Sequence, residues 1–372
     1  MAERVLVLAP NWLGDAVMAL PAMADVRRWC AGAELTVAAR RTVADLLRMV
    51  PWVNRAVTLE WGGRWLDRAG FRADVARVRA IGAELAILLP NSCAAAWLVR
   101  QAAVPERWGY AADMRRRLLS RAVPRPWGSR HQGVYYQYLT RELGIDSGPL
   151  EPVLTVTDAV AHAARRFLGE RGWDGTRPLV VFAPGAAYGT AKRWPPEYVA
   201  QAAASLVRER GATCVLVGSR GDRATADDIR ASLDAGAAPH VLDLTGETTI
   251  EMLAGVLAAA SACVSNDSGA MHLAAAVGAP LVAIFGSTNE YETAPLTREG
   301  RRAAVLTHPV WCRPCMLREC PIDHRCLTRI PPDRVSTAVV TLMGSDPGDG
   351  SFRGLTPVTS RLNPLSRSVD GV

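Results

Sequence analysis

ACVSNDSGAMHLAAAVGAPLVAIFGST, residues 262–288, decides the fold. Residues 262–265 and 281–285 are apolar runs of strand length, and 270–277 between them is rich in helix-forming Ala, Leu and Met. Strand, helix and strand in so short a span make a βαβ unit, whose two strands run parallel. The alternation continues outward. Residues 179–183, 213–217 and 241–244 read as strands. Helices are expected from the Pro195-Pro196 pair to about 209, because Pro is tolerated in a first turn, and over 223–233 and 249–260.

The first half carries the same rhythm less cleanly. RVLVLA, residues 4–9, is a strand ending at Pro10, with a helical pattern over 15–28. Residues 35–38, 56–59 and 85–89 are further short apolar runs, and the pattern blurs over 107–130. The fold class is therefore α/β, with two parallel-sheet domains. The expected division is 1–168 and 169–344, with a last helix at 336–343 packing back on the N-terminal domain. Residues 345–372 are dominated by Gly, Pro, Ser and Arg and are expected to be a disordered tail.

The chain has 372 residues, which suits two domains, and its 49% apolar and 21% charged content excludes a wholly disordered protein. Its longest weakly polar stretch, 252–264, is too short to span a bilayer. With no secretory leader in view, the expected location is the cytoplasm. The formal charge of +7 fits an acidic partner: nucleic acid, a phosphorylated small molecule or an anionic membrane face. No aromatic-interleaved basic module appears, which argues against nucleic acid. Of 43 basic residues, 42 are Arg and one is Lys, at position 192. That lysine is a candidate for a site where a compact ammonium is required. Over 107–130, seven Arg residues meet one acid, Asp113.

In open parallel sheets ligands bind beyond the carboxyl ends of strands, so the loops after strands carry the candidates. After the first strand stand Asn11 and Asp15, without a G-x-G-x-x-G fingerprint. Asp15 reads as a helix N-cap or as a general base, and local sequence favours the cap. PGAAYGTAKRWPPE, residues 184–197, brings Gly185, Gly189 and Lys192 to a helix N-terminus, a combination suited to phosphate. In the 265–272 loop, Ser268 and Gly269 offer backbone amides. Asp267 caps the helix or accepts sugar hydroxyls, and His272 reads most simply as a core residue. Asp222 and Thr245 close two more strand-end loops. Cys30, Cys93, Cys214 and Cys263 read as small buried hydrophobes. For Cys312, Cys315, Cys320 and Cys326 the order is packed thiols, then zinc, then a reversible disulfide, with no metal assigned.

RVLVLAPNWLGDAVMALPA, PGAAYGTAKRWPPE, LVGSRGD, DLTGETT and SNDSGAMHLAAAVGAPLVAIFGST, in that order over 4–335, resemble the successive motifs of glycosyltransferase family 9. The resemblance implies a GT-B architecture of two Rossmann-like domains facing across a cleft. It implies an N-terminal domain that binds a lipid-linked inner-core acceptor of the heptosyl-Kdo2-lipid A type and a C-terminal domain that binds ADP-heptose. The implied reaction is inverting transfer of L-glycero-D-manno-heptose to an inner-core heptose of lipopolysaccharide, without metal or other cofactor. Asp15 matches the family's base and Lys192 its donor-phosphate lysine. Gly185, Asp222, Thr245, Asp267, Ser268, Gly269 and His272 fall in donor motifs. Asn11, Arg115, Arg116 and Arg117 are assigned to the acceptor. The implied protein is a monomer in peripheral contact with the cytoplasmic face of the inner membrane. The chain departs from the family at Ala186 and Ala187, where a polar residue is common. A nucleotide-sugar epimerase of the same double-Rossmann design is the competing expectation.

Overall fold

The structure, a computed structural model, describes residues 2–63, 66–298 and 302–344. The tail expected over 345–372 lies outside them. The chain forms two compact units that divide between Thr155 and Val156.

The first unit comprises β1 (Arg4–Leu8), α1 (Leu13–Trp29), β2 (Glu34–Arg40), α2 (Arg41–Leu47), β3 (Arg55–Leu59), α3 (Arg68–Arg79), β4 (Leu85–Leu88), α4 (Cys93–Gln101), β5 (Glu106–Tyr110), β6 (Arg121–Val123) and α5 (Gln132–Glu142). The second comprises α6 (Asp158–Glu170), β7 (Leu179–Ala183), α7 (Pro196–Arg210), β8 (Thr213–Leu216), α8 (Arg223–Ala231), β9 (Val241–Asp243), α9 (Ile250–Ala259), β10 (Ala262–Asn266), α10 (Gly269–Val277), β11 (Leu281–Ile284), α11 (Glu290–Thr293), β12 (Ala303–Leu306), α12 (Arg325–Thr328) and α13 (Pro332–Gly344).

Each unit holds one six-stranded sheet, ordered β3-β2-β1-β4-β5-β6 and β12-β11-β10-β7-β8-β9. Every pairing is parallel, with Val7 set between Val37 and Ile87, and Cys263 between Val181 and Leu281. Counted within each unit, the two orders are the same. Chain progress reverses between β1 and β4 and again between β7 and β10, and those reversals are the ligand-binding positions of such sheets.

Helices on both faces bury the central strands, which explains their continuous apolar character. All five residues of β7 (LVVFA) are buried, as are all of β1 after Arg4. One core of the second unit gathers Phe182, Trp194, Leu216, Ile229, Val264 and Ile284 beneath α7, α8 and α13. Pro195 is the N-cap of α7 and Pro196 its first residue, where the missing N–H goes unneeded.

Three expectations differ from the structure. The units divide before 168/169, because α6 packs on α9 within the second unit. The last helix, α13, begins at Pro332 and buries Val335, Val339 and Leu342 in the second unit's own core. It therefore packs within the second unit. Strands β5, β6 and β12 went unread. Residues Glu106–Tyr110 (ERWGY) lack an apolar run, and β6 and β12 are short outer strands. Among the described residues no helix is long and apolar enough to cross a membrane.

Candidate functional site

The loops after β7 and β10 meet at the second unit's reversal point. Lys192 Nζ donates to Asp267 Oδ2 at 2.7 Å, although the two residues stand 75 apart in sequence. Thr288 Oγ1, from the loop after β11, donates to the same oxygen at 2.7 Å. The Lys192 and Asp267 side chains are only 14% and 5% exposed, so solvent screens this pair weakly. The ammonium also lies 4.9 Å from the centre of the Tyr188 ring. Asn266, the last residue of β10, fixes both ends of the lysine loop. Its Nδ2 donates to Pro184 O at 2.6 Å and its Oδ1 accepts from Trp194 N at 3.2 Å.

Asp267 is therefore not a helix cap. The N-cap of α10 is Ser268, whose side chain makes no capping bond. The first amides of a helix lack intrahelical partners and carry its positive dipole end. A nearly dry ammonium and a helix N-terminus together suit a diphosphate. An ammonium has three donors, so the bond to Asp267 leaves capacity for a phosphate oxygen.

Gly185 and Asp222 are neighbours. Asp222 Oδ2 accepts from Ser219 N at 2.9 Å and from Ser219 Oγ at 2.6 Å, which closes a capping box before α8. A Cβ on Gly185 would lie 2.4 Å from the Asp222 carboxyl, so any other residue there must displace that side chain. Thr245, just beyond β9, is buried, and its Oγ1 has no partner among the described residues. His272 is buried in α10 beside Met271 and Leu273, as its apolar setting suggested.

In the first unit, the carboxyl ends of β1, β2 and β4 open into a cleft of about 280 Å³, lined among others by Leu8, Asn11, Ala38, Arg40, Trp61 and Ser92. Asp15 does not line it. Helix α1 starts at Leu13 with Trp12 as N-cap, so Asp15 is a half-buried residue of the first turn and not the cap that local sequence favoured. Burial above all, then the charge of Asp15, holds the Tyr136 hydroxyl well above the usual tyrosine range, so that phenol stays protonated.

Arg115 requires correction as an acceptor residue. It is fully buried, and its guanidinium donates to Tyr110 O at 2.9 Å, to Ser92 O at 3.3 Å and to Pro90 O. Desolvation pushes its pKa down to about 10. It braces the ends of β4 and β5 and cannot meet an external anion. Arg116 and Arg117 are exposed, though neither lines the Asn11 cleft.

All eight cysteines are free. Cys93 is half-buried rather than buried. Cys312, Cys315, Cys320 and Cys326 line a small apolar cavity with Ala191 and Ser287. Burial, then the other three thiols, pushes the Cys326 thiol up. Among the described residues no group of three or more His, Cys, Asp or Glu side chains is arranged to hold a metal ion.

Thr288 and Asn266 went unassigned from sequence. Both stand at strand ends, so the strand-end rule contained the signal, but their partners are remote in the chain.

The family model for glycosyltransferase family 9 (heptosyltransferase) matches residues 73–325. Lipopolysaccharide heptosyltransferase 2 of Salmonella typhimurium is 31% identical over 311 residues, 82% of this chain and 88% of that one. The solved E. coli ADP-heptose lipopolysaccharide heptosyltransferase II superposes with a TM-score of 0.77 at 28% identity, covering 91% of this chain and 98% of that one. An E. coli heptosyltransferase solved with ADP shares the fold, with a TM-score of 0.69 at 19% identity over 91% of this chain and 99% of that one.

Proposed function

Because the chain belongs to glycosyltransferase family 9, the heptosyltransferases, we propose that it transfers L-glycero-D-manno-heptose from ADP-heptose to an inner-core heptose of lipopolysaccharide, the heptosyltransferase II step. The observation that carries the reading is the Lys192–Asp267–Thr288 cluster at the reversal point of the second sheet. Similarity to heptosyltransferase 2 over most of both chains supports the choice of step.

In this reading the second unit holds the donor. Lys192 and the amides of Ser268 and Gly269 take the diphosphate. Asp222 and Thr245 meet the nucleoside side, with Gly185 keeping the backbone clear of Asp222. Inversion requires an acceptor hydroxyl to attack the anomeric carbon opposite the departing ADP. Asp15 removes the proton as that bond forms. Charge builds on the leaving phosphate, and a preorganised ammonium with helix amides lowers the barrier by several kcal/mol. Asp267 keeps the lysine aimed.

The first unit holds the lipid-linked acceptor, with Asn11 lining its cleft. Arg116, Arg117 and Arg125 are exposed, as are Met114 and Trp127, close to them in sequence. That basic and aromatic surface suits the anionic glycolipid at the cytoplasmic face of the inner membrane.

The test incubates the protein with ADP-heptose and a panel of truncated core acceptors, read by mass spectrometry. The expected product is one heptose added to an acceptor that already ends in a single inner-core heptose. Conversion of the donor in the absence of acceptor would indicate an epimerase and contradict the reading.

A further inference from the structure

We propose that Arg313 is a positioning residue for the donor phosphates, acting on Lys192 through Thr288 and Asp267; this rests on the donor assignment above. Arg313 follows Cys312 at the head of the cysteine-rich segment, which the reaction scheme leaves without a role. Its side chain is only 10% exposed. Nε donates to Gly286 O at 2.8 Å and Nη2 to Thr288 O at 3.2 Å. The two terminal nitrogens also grip the Glu290 carboxylate, Nη1 to Oε1 at 3.2 Å and Nη2 to Oε2 at 2.8 Å. One planar fork thus holds residues 286, 288 and 290, a geometry that a lysine ammonium cannot reproduce.

What that fork fixes is the loop carrying Thr288. The Thr288 hydroxyl binds Asp267 Oδ2, and the same oxygen binds Lys192 Nζ. The chain just beyond Arg313 bonds to both the Thr288 loop and the lysine loop. Met316 N donates to Ser287 O at 2.9 Å, and Ala191 N donates to Arg318 O at 2.9 Å. Tyr188 Oη donates to Met316 O at 2.8 Å. At Gly189 a Cβ would stand 2.2 Å from Arg318 O, so the two segments touch backbone to backbone. Residues 313–318 therefore clamp the loop after β7 to the loop after β11, and those loops present Lys192 and Thr288. Catalytic groups are sensitive to displacement, an error of about 1 Å costing up to about a hundredfold.

The test is a double-mutant cycle on ADP affinity, measured by calorimetry, with steady-state kinetics beside it. Arg313→Lys should weaken ADP binding about tenfold and lower kcat, while the acceptor KM stays unchanged. Thr288→Val cuts the link, so adding Arg313→Lys to it should cause no further loss of ADP affinity. Glu290→Gln keeps the side-chain shape and should produce a weaker form of the same donor-side defect, which covers the case of an Arg313 variant that folds poorly. Additive losses in the cycle, or wild-type ADP affinity in Arg313→Lys, would overturn the proposal while leaving the function untouched. A wild-type protein that binds no ADP would overturn both.

Discussion

At the carboxyl ends of β7 and β10 the second unit holds a nearly dry ammonium–carboxylate pair. At the corresponding ends of β1 and β4 the first unit leaves a cleft of about 280 Å³ lined by Leu8, Asn11, Arg40 and Trp61. The two sheets share one strand order. The difference therefore lies in the loops, and under the proposed function it lets one topology serve two kinds of ligand. A diphosphate is bound best by charges fixed before it arrives. A sugar on a large glycolipid needs room and hydroxyl partners. The cysteine-rich segment sharpens the contrast, since it buttresses the loops of the second unit.

The strongest way to test this division is to remove one group from each unit. Asp15→Asn should lower turnover by a factor of about 10²–10⁴, the range for loss of a general base, and leave ADP affinity unchanged. A loss of ADP binding in that variant, seen by calorimetry, would erase the distinction between the units.

Lys192 provides the reciprocal substitution. A charge-assisted phosphate contact contributes roughly 1.5–3 kcal/mol, so Lys192→Ala should weaken ADP binding about ten- to a hundredfold. Lys192→Arg keeps the charge but must fit a planar fork beside Asp267 and Tyr188. It should retain measurable ADP binding and lose most turnover. Wild-type kinetics in the Arg variant would mean that the solitary lysine is an accident of composition.

The smallest effects on catalysis are expected in the arginine run of the first unit, where neighbours in sequence part company. Arg115→Ala strips buried carbonyls of their donor and should destabilise the protein by about 2–4 kcal/mol, measured by denaturant unfolding. Arg116→Gln with Arg117→Gln should leave stability alone. That pair should raise the acceptor KM a few-fold, an effect that shrinks as salt screens charges beyond about 10 Å at 0.1 M. A donor-side defect in the Arg116/Arg117 variant would reverse the roles of the units.

The arginine run also shows where sequence stops being informative. Arg115, Arg116 and Arg117 are chemically identical, and only the folded ends of β4 and β5 decide that the first turns inward. The strands around both reversal points were legible because a buried parallel strand must be apolar on both faces. Strand β5 was not, because Glu106 and Arg107 open it and a glycine interrupts it. In the site, Gly185, Lys192 and Asp267 were visible as loop chemistry. The ion pair between the last two was not, since 75 residues separate them. The tight turn read from the two loop glycines has its left-handed backbone at Gly189 and not at Gly185. The Asp222 carboxyl pressed against position 185 belongs to tertiary structure.

Hydrogen–deuterium exchange of the wild-type protein with ADP alone tests the division of labour most directly. Protection should appear in peptides covering 184–192, 219–222, 267–269 and 286–288, and the loops after β1 and β4 should exchange as in the free protein. Protection confined to residues 9–15 and 89–92, with the second unit unchanged, would contradict the account.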